Sequence, residues 1–213
     1  MYVPPHFAEQ RPQVLYQFIR DHPFATVVSA TPDGLAASHV PLVLHREAGT
    51  TAVLRGHLSR ANPQSRDRSV SRALAVFHGP QAYISPSWYP TKQESGRVVP
   101  TWNFVVVHVE GPLRFVEDRD FLERHLQALT EMHESTRPAP WALDDAPREY
   151  LESAMKGIVA FEMAIARIEG KWKLGQNRDA ADRAGVVEGL RRDGDHVMSE
   201  LVRRPAPEAA GDG

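Results

Sequence analysis

Residues 101–109, TWNFVVVHV, constrain the fold of this chain more than any other stretch. Taken alternately, they put Phe104, Val106 and His108 on one face and Val105, Val107 and Val109 on the other. A strand apolar on both faces is one covered from both sides, as in a closed barrel or at a subunit interface. The preceding stretch, 85–98, is too polar for a core. It sets Trp88 and Tyr89, aromatics of an exposed type, beside prolines that fix the local shape. Two readings of 77–115 stay open. It is either a platform that shows aromatics to a flat ligand, or a long hairpin connection whose aromatics cap a core.

The rest of the chain is ordinary globular material. Its 213 residues are 42% hydrophobic and 24% charged, enough for one large domain. The net charge of −2 gives no support to binding driven by phosphate neutralisation. Cysteine is absent, which excludes disulfides, thiolate metal sites and cysteine nucleophiles. The N-terminal residues lack the pattern of a signal peptide, and no stretch has the ~20 apolar residues of a membrane span. A soluble cytoplasmic protein without membrane contact is the expectation.

Helical spacing at Val14, Leu15, Phe18 and Ile19 predicts a helix over 11–22. Residues 24–44 read as a hairpin around the turn Thr31-Pro32-Asp33-Gly34. Pro41 in its second arm predicts an edge or a bulge. A turn at 47–50 leads to a third strand at 51–57. Asn62-Pro63 is a helix start, and its backbone near Ser59 and Arg60 offers a phosphate cradle. The alternative is a short capped linker with its arginines in water. Further strands are expected at 74–78 and 113–116, with Gly79-Pro80 as a turn and Gly111-Pro112 as a kink or bulge. Phe121, Leu122, Leu126, Leu129 and Met132 make the stripe of a helix over 118–134. A second helix over 147–156 takes its cap from Asp144 or Asp145 and stops at Gly157. One strand over 158–169, helices over 179–192 and 194–204, and a disordered tail complete the reading. The sum is α+β, mainly antiparallel: a small barrel carrying helices.

Familiar reaction motifs are absent, including nucleophile elbows, phosphate loops and H-E-x-x-H. His125 and His133, eight apart on one helix, cannot share a metal, and no metal site or catalytic acid–base pair is assigned. Four polar clusters at strand ends remain. They are Ser38-His39-Val40-Pro41, then Gly56-His57-Leu58-Ser59-Arg60-Ala61-Asn62, then Pro100-Thr101-Trp102-Asn103, then Lys171-Trp172-Lys173-Leu174-Gly175-Gln176-Asn177. Cations, hydroxyls, amides and indoles together suit a nucleotide-like cofactor with a flat ring.

At these clusters the chain resembles the PaiB family of FMN-binding negative transcriptional regulators. The resemblance rests on Ser38-His39-Val40-Pro41-Leu42, Gly56-His57 with Arg60-Ala61-Asn62-Pro63, and Ala82-Tyr83-Ile84-Ser85-Pro86-Ser87-Trp88-Tyr89. It continues in Val99-Pro100-Thr101-Trp102-Asn103-Phe104 and in Lys173-Leu174 with Gln176-Asn177-Arg178. Gly175 departs from the family, which usually has Ser there. The resemblance implies a flavin-binding split β-barrel, as in pyridoxamine-phosphate oxidases, over 1–190, with a helical insertion near 118–156. Residues 191–213 would then be a C-terminal helix and tail. It implies a homodimer with FMN in grooves between protomers. Ser59 and Arg60 would lie near the phosphate and 38–41 beside the ring edge. Trp102 and Asn103 would face the flavin, while Lys173, Gln176 and Asn177 would reach it from the second protomer. Gly56, His57 and Asn62 complete the cofactor-binding set.

Two functions follow from that resemblance. One is a flavin-binding regulator that lowers transcription. DNA enters as a partner on the family label alone, since no helix-turn-helix is evident and the arginines of 178–204 are matched by Asp179, Asp182, Glu188 and Asp193. The other is a flavin-dependent oxidoreductase, either a flavin reductase or a small-molecule oxidase. Haem, with His57 or His108 as axial ligand, is a third reading.

Overall fold

Thr31 and Gly34 close the first hairpin, and the hydroxyl of Thr31 donates to the Gly34 carbonyl at 2.9 Å. The computed structural model describes residues 1–31, 33–46, 50–66 and 71–204. Pro32, the turn at 47–49, residues 67–70 and the expected tail lie outside the described residues. In chain order the elements are β1 (Ala8–Glu9), α1 (Pro12–Asp21), β2 (Phe24–Thr31), β3 (Gly34–Pro41), β4 (Val43–His45), β5 (Val53–Ser59), β6 (Ser71–Ile84) and α2 (Thr91–Ser95). There follow β7 (Thr101–Val116), α3 (Arg119–Glu134), α4 (Arg148–Lys156), β8 (Ile158–Ala164), β9 (Arg167–Lys173), α5 (Ala180–Arg192) and α6 (His196–Arg203). The chain divides into two compact units. One holds 16–77 and 108–168; the other holds 1–15, 78–107 and the residues from 169 onward.

The strand order is β3-β2-β6-β7-β8-β5-β4, and the path ends on β3 and β4 without closing. The registered pairs along it are antiparallel. Alternation puts Ala25 and Val27 of β2 and Leu54 and Leu58 of β5 into the core, with Phe161 and Met163 of β8. Pro41 ends β3, the edge strand, where a missing N–H breaks no ladder on the open side. Helix α3 starts at Asp118, whose carboxylate accepts from the Phe121 amide at 2.6 Å. It buries Leu122 and His125.

Three local expectations are corrected here. Gly79-Pro80 is no turn: it lies inside β6. The ladder between β2 and β6 ends at Phe77, so Pro80 interrupts no bond to β2. Residues 158–169 are not one strand but the whole of β8 and the start of β9. The break at Ile165-Ala166 is held by amide bonds from Ile165 to the Ala52 carbonyl and from Ala166 to the Glu110 carbonyl, each 3.0 Å. The cap of α4 is Pro147, while Asp145 accepts from the Ala142 amide at 2.8 Å within its own short turn.

In the second unit β9 pairs with β1 and with β7. The two-faced strand is covered unequally. Val105, Val107 and Val109 are buried, as is Val106, but Phe104 and His108 are half-exposed. Helices α5 and α6 pack through Val186, Leu190, Met198 and Val202, and the Ser199 hydroxyl donates to the Val187 carbonyl at 3.0 Å. Arg203 and Arg204 both pair with Glu200. Asp182 is no surface counter-charge: it is buried and accepts from the Thr91 amide at 3.2 Å.

The loop aromatics belong to this core. Tyr89 is only 4% exposed, with the Arg178 guanidinium 4.9 Å above its ring. The Trp88 indole lies flat against α5 at Gly189, where a Cβ would come within 2.3 Å of the ring. Gly189→Ala is therefore an overpacking change and should destabilise the fold by about 1–3 kcal/mol, read as a lower urea midpoint at unchanged slope.

Candidate functional site

The sequence-predicted residues fall into two groups, one in each unit. In the first unit, alternation along β3 sends Ser38 inward and leaves His39 exposed. Ser38 donates to the Gln64 side-chain carbonyl and accepts from the Asn62 amide at 2.8 Å. Asn62 also caps the 3-10 turn Pro63–Ser65, accepting from the Gln64 amide N–H at 2.9 Å. Gln64, which sequence reasoning missed, is the hub. Its Nε2 donates to the Ser29 hydroxyl at 2.9 Å, the Ala36 carbonyl at 3.1 Å and the Val27 carbonyl at 3.2 Å. Ser65, fully buried, donates back to the carbonyls of Ser59 and Asn62. The segment 59–65 is thus bolted onto the β2–β3 hairpin.

That bolt presents Ser59 and Arg60 outward. The Arg60 guanidinium forks onto Glu117 at 2.7 and 3.2 Å, and both side chains are substantially exposed. A cavity of about 200 Å³ opens beside this pair, with Leu122, Met155 and Val159 in its lining and Arg119 and Lys156 at its edge. A larger one, about 360 Å³, lies between α3 and α4 and touches none of the sequence-predicted residues. His39 bonds Thr26 at 3.0 Å and stacks on Phe24; Val40 and Pro41 are half-buried beside it. Gly56 faces the core, where a Cβ would meet Phe161 and Leu42.

His57 faces α3. Its Nδ1 lies 3.2 Å from Nε2 of His125, which is 2% exposed and whose Nδ1 has no hydrogen-bond partner among the described residues. Burial, then the neighbouring His57, His45 and Arg55, push His125 down to about 3. Burial also lowers His57.

In the second unit, Lys173 of β9 donates to the Thr101 hydroxyl and the Trp102 carbonyl, both at 2.5 Å. Burial, then the charges of Lys171 and Arg178, hold its ammonium below the usual lysine range. The Trp102 indole is 48% exposed, donates to Gln81 at 3.2 Å and meets Tyr83 edge-on at 6.1 Å. Asn103, next along the strand, is buried. Gln176 spends its amide on its own loop, accepting from the Leu174 N–H at 2.8 Å and donating to the Trp172 carbonyl at 2.6 Å. Asn177 is exposed. Gly175 has φ +81°, a left-handed backbone that glycine adopts without strain.

The family described as "Putative FMN-binding domain" matches residues 1–167. The chain belongs to this family. It is 34% identical to the Bacillus subtilis protein named "Protease synthase and sporulation protein PAI 2", over 91% of this chain and 90% of that one, so the PaiB resemblance holds. Among solved structures it resembles the flavocytochrome Anf3 from Azotobacter vinelandii, with TM-score 0.57, 14% identity, and 86% and 78% of the two chains covered. It also resembles the FAD and heme binding protein from Mycobacterium smegmatis, with TM-score 0.54, 15% identity, and coverage of 83% and 78%. The fold is accordingly the open, antiparallel split-barrel type with peripheral helices. No helix among the described residues is long and apolar enough to cross a membrane.

The cofactor of this family is a flavin, and the donor set fits FMN. Arg60 and the Ser59 hydroxyl suit a phosphate. Among the described residues Lys173 has one of its three N–H groups left beyond its two bonds, one of which goes to the backbone carbonyl of Trp102, whose indole is exposed.

Two outcomes follow from this geometry. Gln64→Ala strips partners from the buried Ser29 and Ser38 and should cost about 2–3 kcal/mol in urea unfolding. His125 binds its proton more weakly folded than unfolded, so the unfolded chain takes up more protons between pH 6.5 and 3. Stability should fall as pH drops through that window, by up to about 2 kcal/mol from pH 6.5 to 5. His125→Leu should flatten the dependence over that interval.

Proposed function

We propose that this chain is a homodimeric FMN-binding regulator of the PaiB type, which senses through its flavin and lowers transcription. The observation that carries the reading is the bond from Lys173, a half-buried ammonium with one N–H left among the described residues, to the backbone carbonyl of Trp102, whose indole is half-exposed. An aromatic left in water beside a cation is what a flat, electron-poor ring with acceptor edges would cover. In this reading Ser59 and Arg60 take the phosphate, and Ser38, His39, Val40, Pro41, Gly56, His57 and Asn62 build the wall beside the ring. Trp102, Asn103, Lys173, Gln176 and Asn177 act from the partner. Tyr83, Val99 and Trp102, all substantially exposed in the single chain, favour cover by a second copy. A cytoplasmic location goes with this role.

The test is titration of the purified protein with FMN, read by flavin absorbance and by thermal unfolding, with light scattering for mass. The expected result is a dimer that binds FMN. At 100 times Kd the folded state should gain about 2.7 kcal/mol. Arg60→Ala should weaken binding by about tenfold or more, since a charge-assisted bond contributes about 1.5–3 kcal/mol. Absence of both flavin absorbance and stabilisation in the wild type would sink the reading.

The open face at Trp102 and Tyr83 also suits a second reading, a flavin-dependent oxidoreductase (flavin reductase or small-molecule oxidase). Anaerobic mixing of the FMN-loaded protein with NADH or NADPH decides: rapid bleaching supports the enzyme, persistent yellow the sensor. Direct DNA contact is the remaining part of the regulator reading. A salt-sensitive gel shift with promoter DNA supports it.

A further inference from the structure

Three cations sit within eight residues of one another at the end of β9 and the turn after it: Lys171, Lys173 and Arg178. Lys171 caps the Tyr2 carbonyl at 3.0 Å and lies 5.3 Å over the Phe104 ring. Arg178 lies over Tyr89. Lys173 is the inner member, and its two bonds go to a neutral hydroxyl and a neutral carbonyl. No ion pair between these three side chains and a carboxylate is found among the described residues. The usual arrangement for a half-buried ammonium is a nearby counter-charge. Here the nearest charges are of like sign, and together with burial they disfavour the protonated amine. Such a site gains most from a ligand that brings negative charge to the remaining N–H. The exposed indole of Trp102, the residue whose carbonyl Lys173 holds, selects for one that is also flat.

We propose that Lys173 is a redox-poising residue: its ammonium, backed by Lys171, binds the ring of the reduced flavin more tightly than that of the oxidised flavin and so raises the flavin's potential. This rests on the FMN reading given above. A flavin ring gains electron density when reduced, and a positive charge beside it stabilises the reduced form. The same charge, lacking a carboxylate partner, is not neutralised in advance. Trp102 contributes a surface for the ring. Its backbone carbonyl and the Thr101 hydroxyl aim the ammonium.

The experiment is a spectroelectrochemical titration of the full-length, FMN-loaded protein, after FMN uptake and thermal unfolding of each variant have been recorded. Lys173→Gln keeps a donor for the Trp102 carbonyl and removes the charge. It should lose about tenfold in its preference for reduced over oxidised FMN, a fall of about 30 mV for a two-electron couple. Lys173→Arg should keep the wild-type potential. Lys171→Gln leaves both Lys173 bonds intact and should lower the potential by less, in the same direction. A folded, FMN-loaded Lys173→Gln with the wild-type potential overturns the inference. If that variant does not fold, an unchanged potential in Lys171→Gln overturns it instead. A wild type that takes up no FMN defeats the flavin reading itself. That failure is seen before any potential is measured, and is thereby distinct from the failure of Lys173.

Discussion

The side chain of Gln64 is the constraint on which the candidate phosphate end depends. A primary amide has two donors and an acceptor in a fixed plane. Gln64 directs them to Ser38, Ser29 and two strand carbonyls, and it is 5% exposed while doing so. Water cannot substitute at that depth, so each bond removed leaves a buried group unsatisfied. The turn 59–65 has only three residues of 3-10 helix and little apolar surface of its own. Its position is set by polar bonds, and with it the direction in which Ser59 and Arg60 leave β5. A hydrophobic anchor of similar size would fill the volume without fixing that direction, because dispersion contacts have little angular preference.

Helix α3 is held at the same strand by a different device. Its interface with β5 is not the leucine stripe alone: His125 occupies the most buried position beside Leu122 and meets His57. Two imidazoles can share one hydrogen bond only if at least one is neutral, so the contact exists in one protonation regime. Glu117, next to the cap residue of α3, is the group that holds Arg60. Docking of α3 and the orientation of the candidate phosphate cation are therefore coupled through a few residues. The carboxylate of Glu117 already occupies the fork that a phosphate would use. Any anion that took Arg60 would have to compete with it.

Much of the fold was legible because local signals and tertiary contacts agreed. The 3.6-residue spacing of 11–22 and the apolar stripe of 118–134 express the same preference at both levels, as does the hairpin from 24 to 41; its expected second arm to 44 is cut at Leu42, and 43–45 pairs with β5 instead. The failures came where the two disagreed. Gly79-Pro80 carries a turn signature, yet β6 runs through it because the neighbouring ladder has already ended. Val159 and Ile165 share one alternating pattern, yet two carbonyls from distant segments, Ala52 and Glu110, capture the amides at the break. No local reading sees those acceptors. Gln64 was equally hidden, since a glutamine in a turn signals nothing until its partners are known. The polar clusters were visible as inventory. Composition did not distinguish Gln176, which serves its own loop, from Lys173, which keeps a donor free.

In the stretch 77–115 the core-capping reading holds for the loop aromatics, while the exposed indole lies elsewhere. Trp88 and Tyr89 turned out to cap a core: one lies on the glycine face of α5, the other beneath Arg178. That anchoring uses up the aromatics that looked most available. Trp102, read with Asn103 as part of a polar cluster at a strand end, has its indole left half in water, while Asn103 takes the inward position. An indole on a strand end is rigid: its strand fixes Cα, and the bond to Gln81 fixes the ring. Rigidity lowers the entropy lost when a flat partner settles on it. The fold thus covers the aromatics of the loop and leaves uncovered one at the strand end, whose backbone carbonyl holds the Lys173 ammonium.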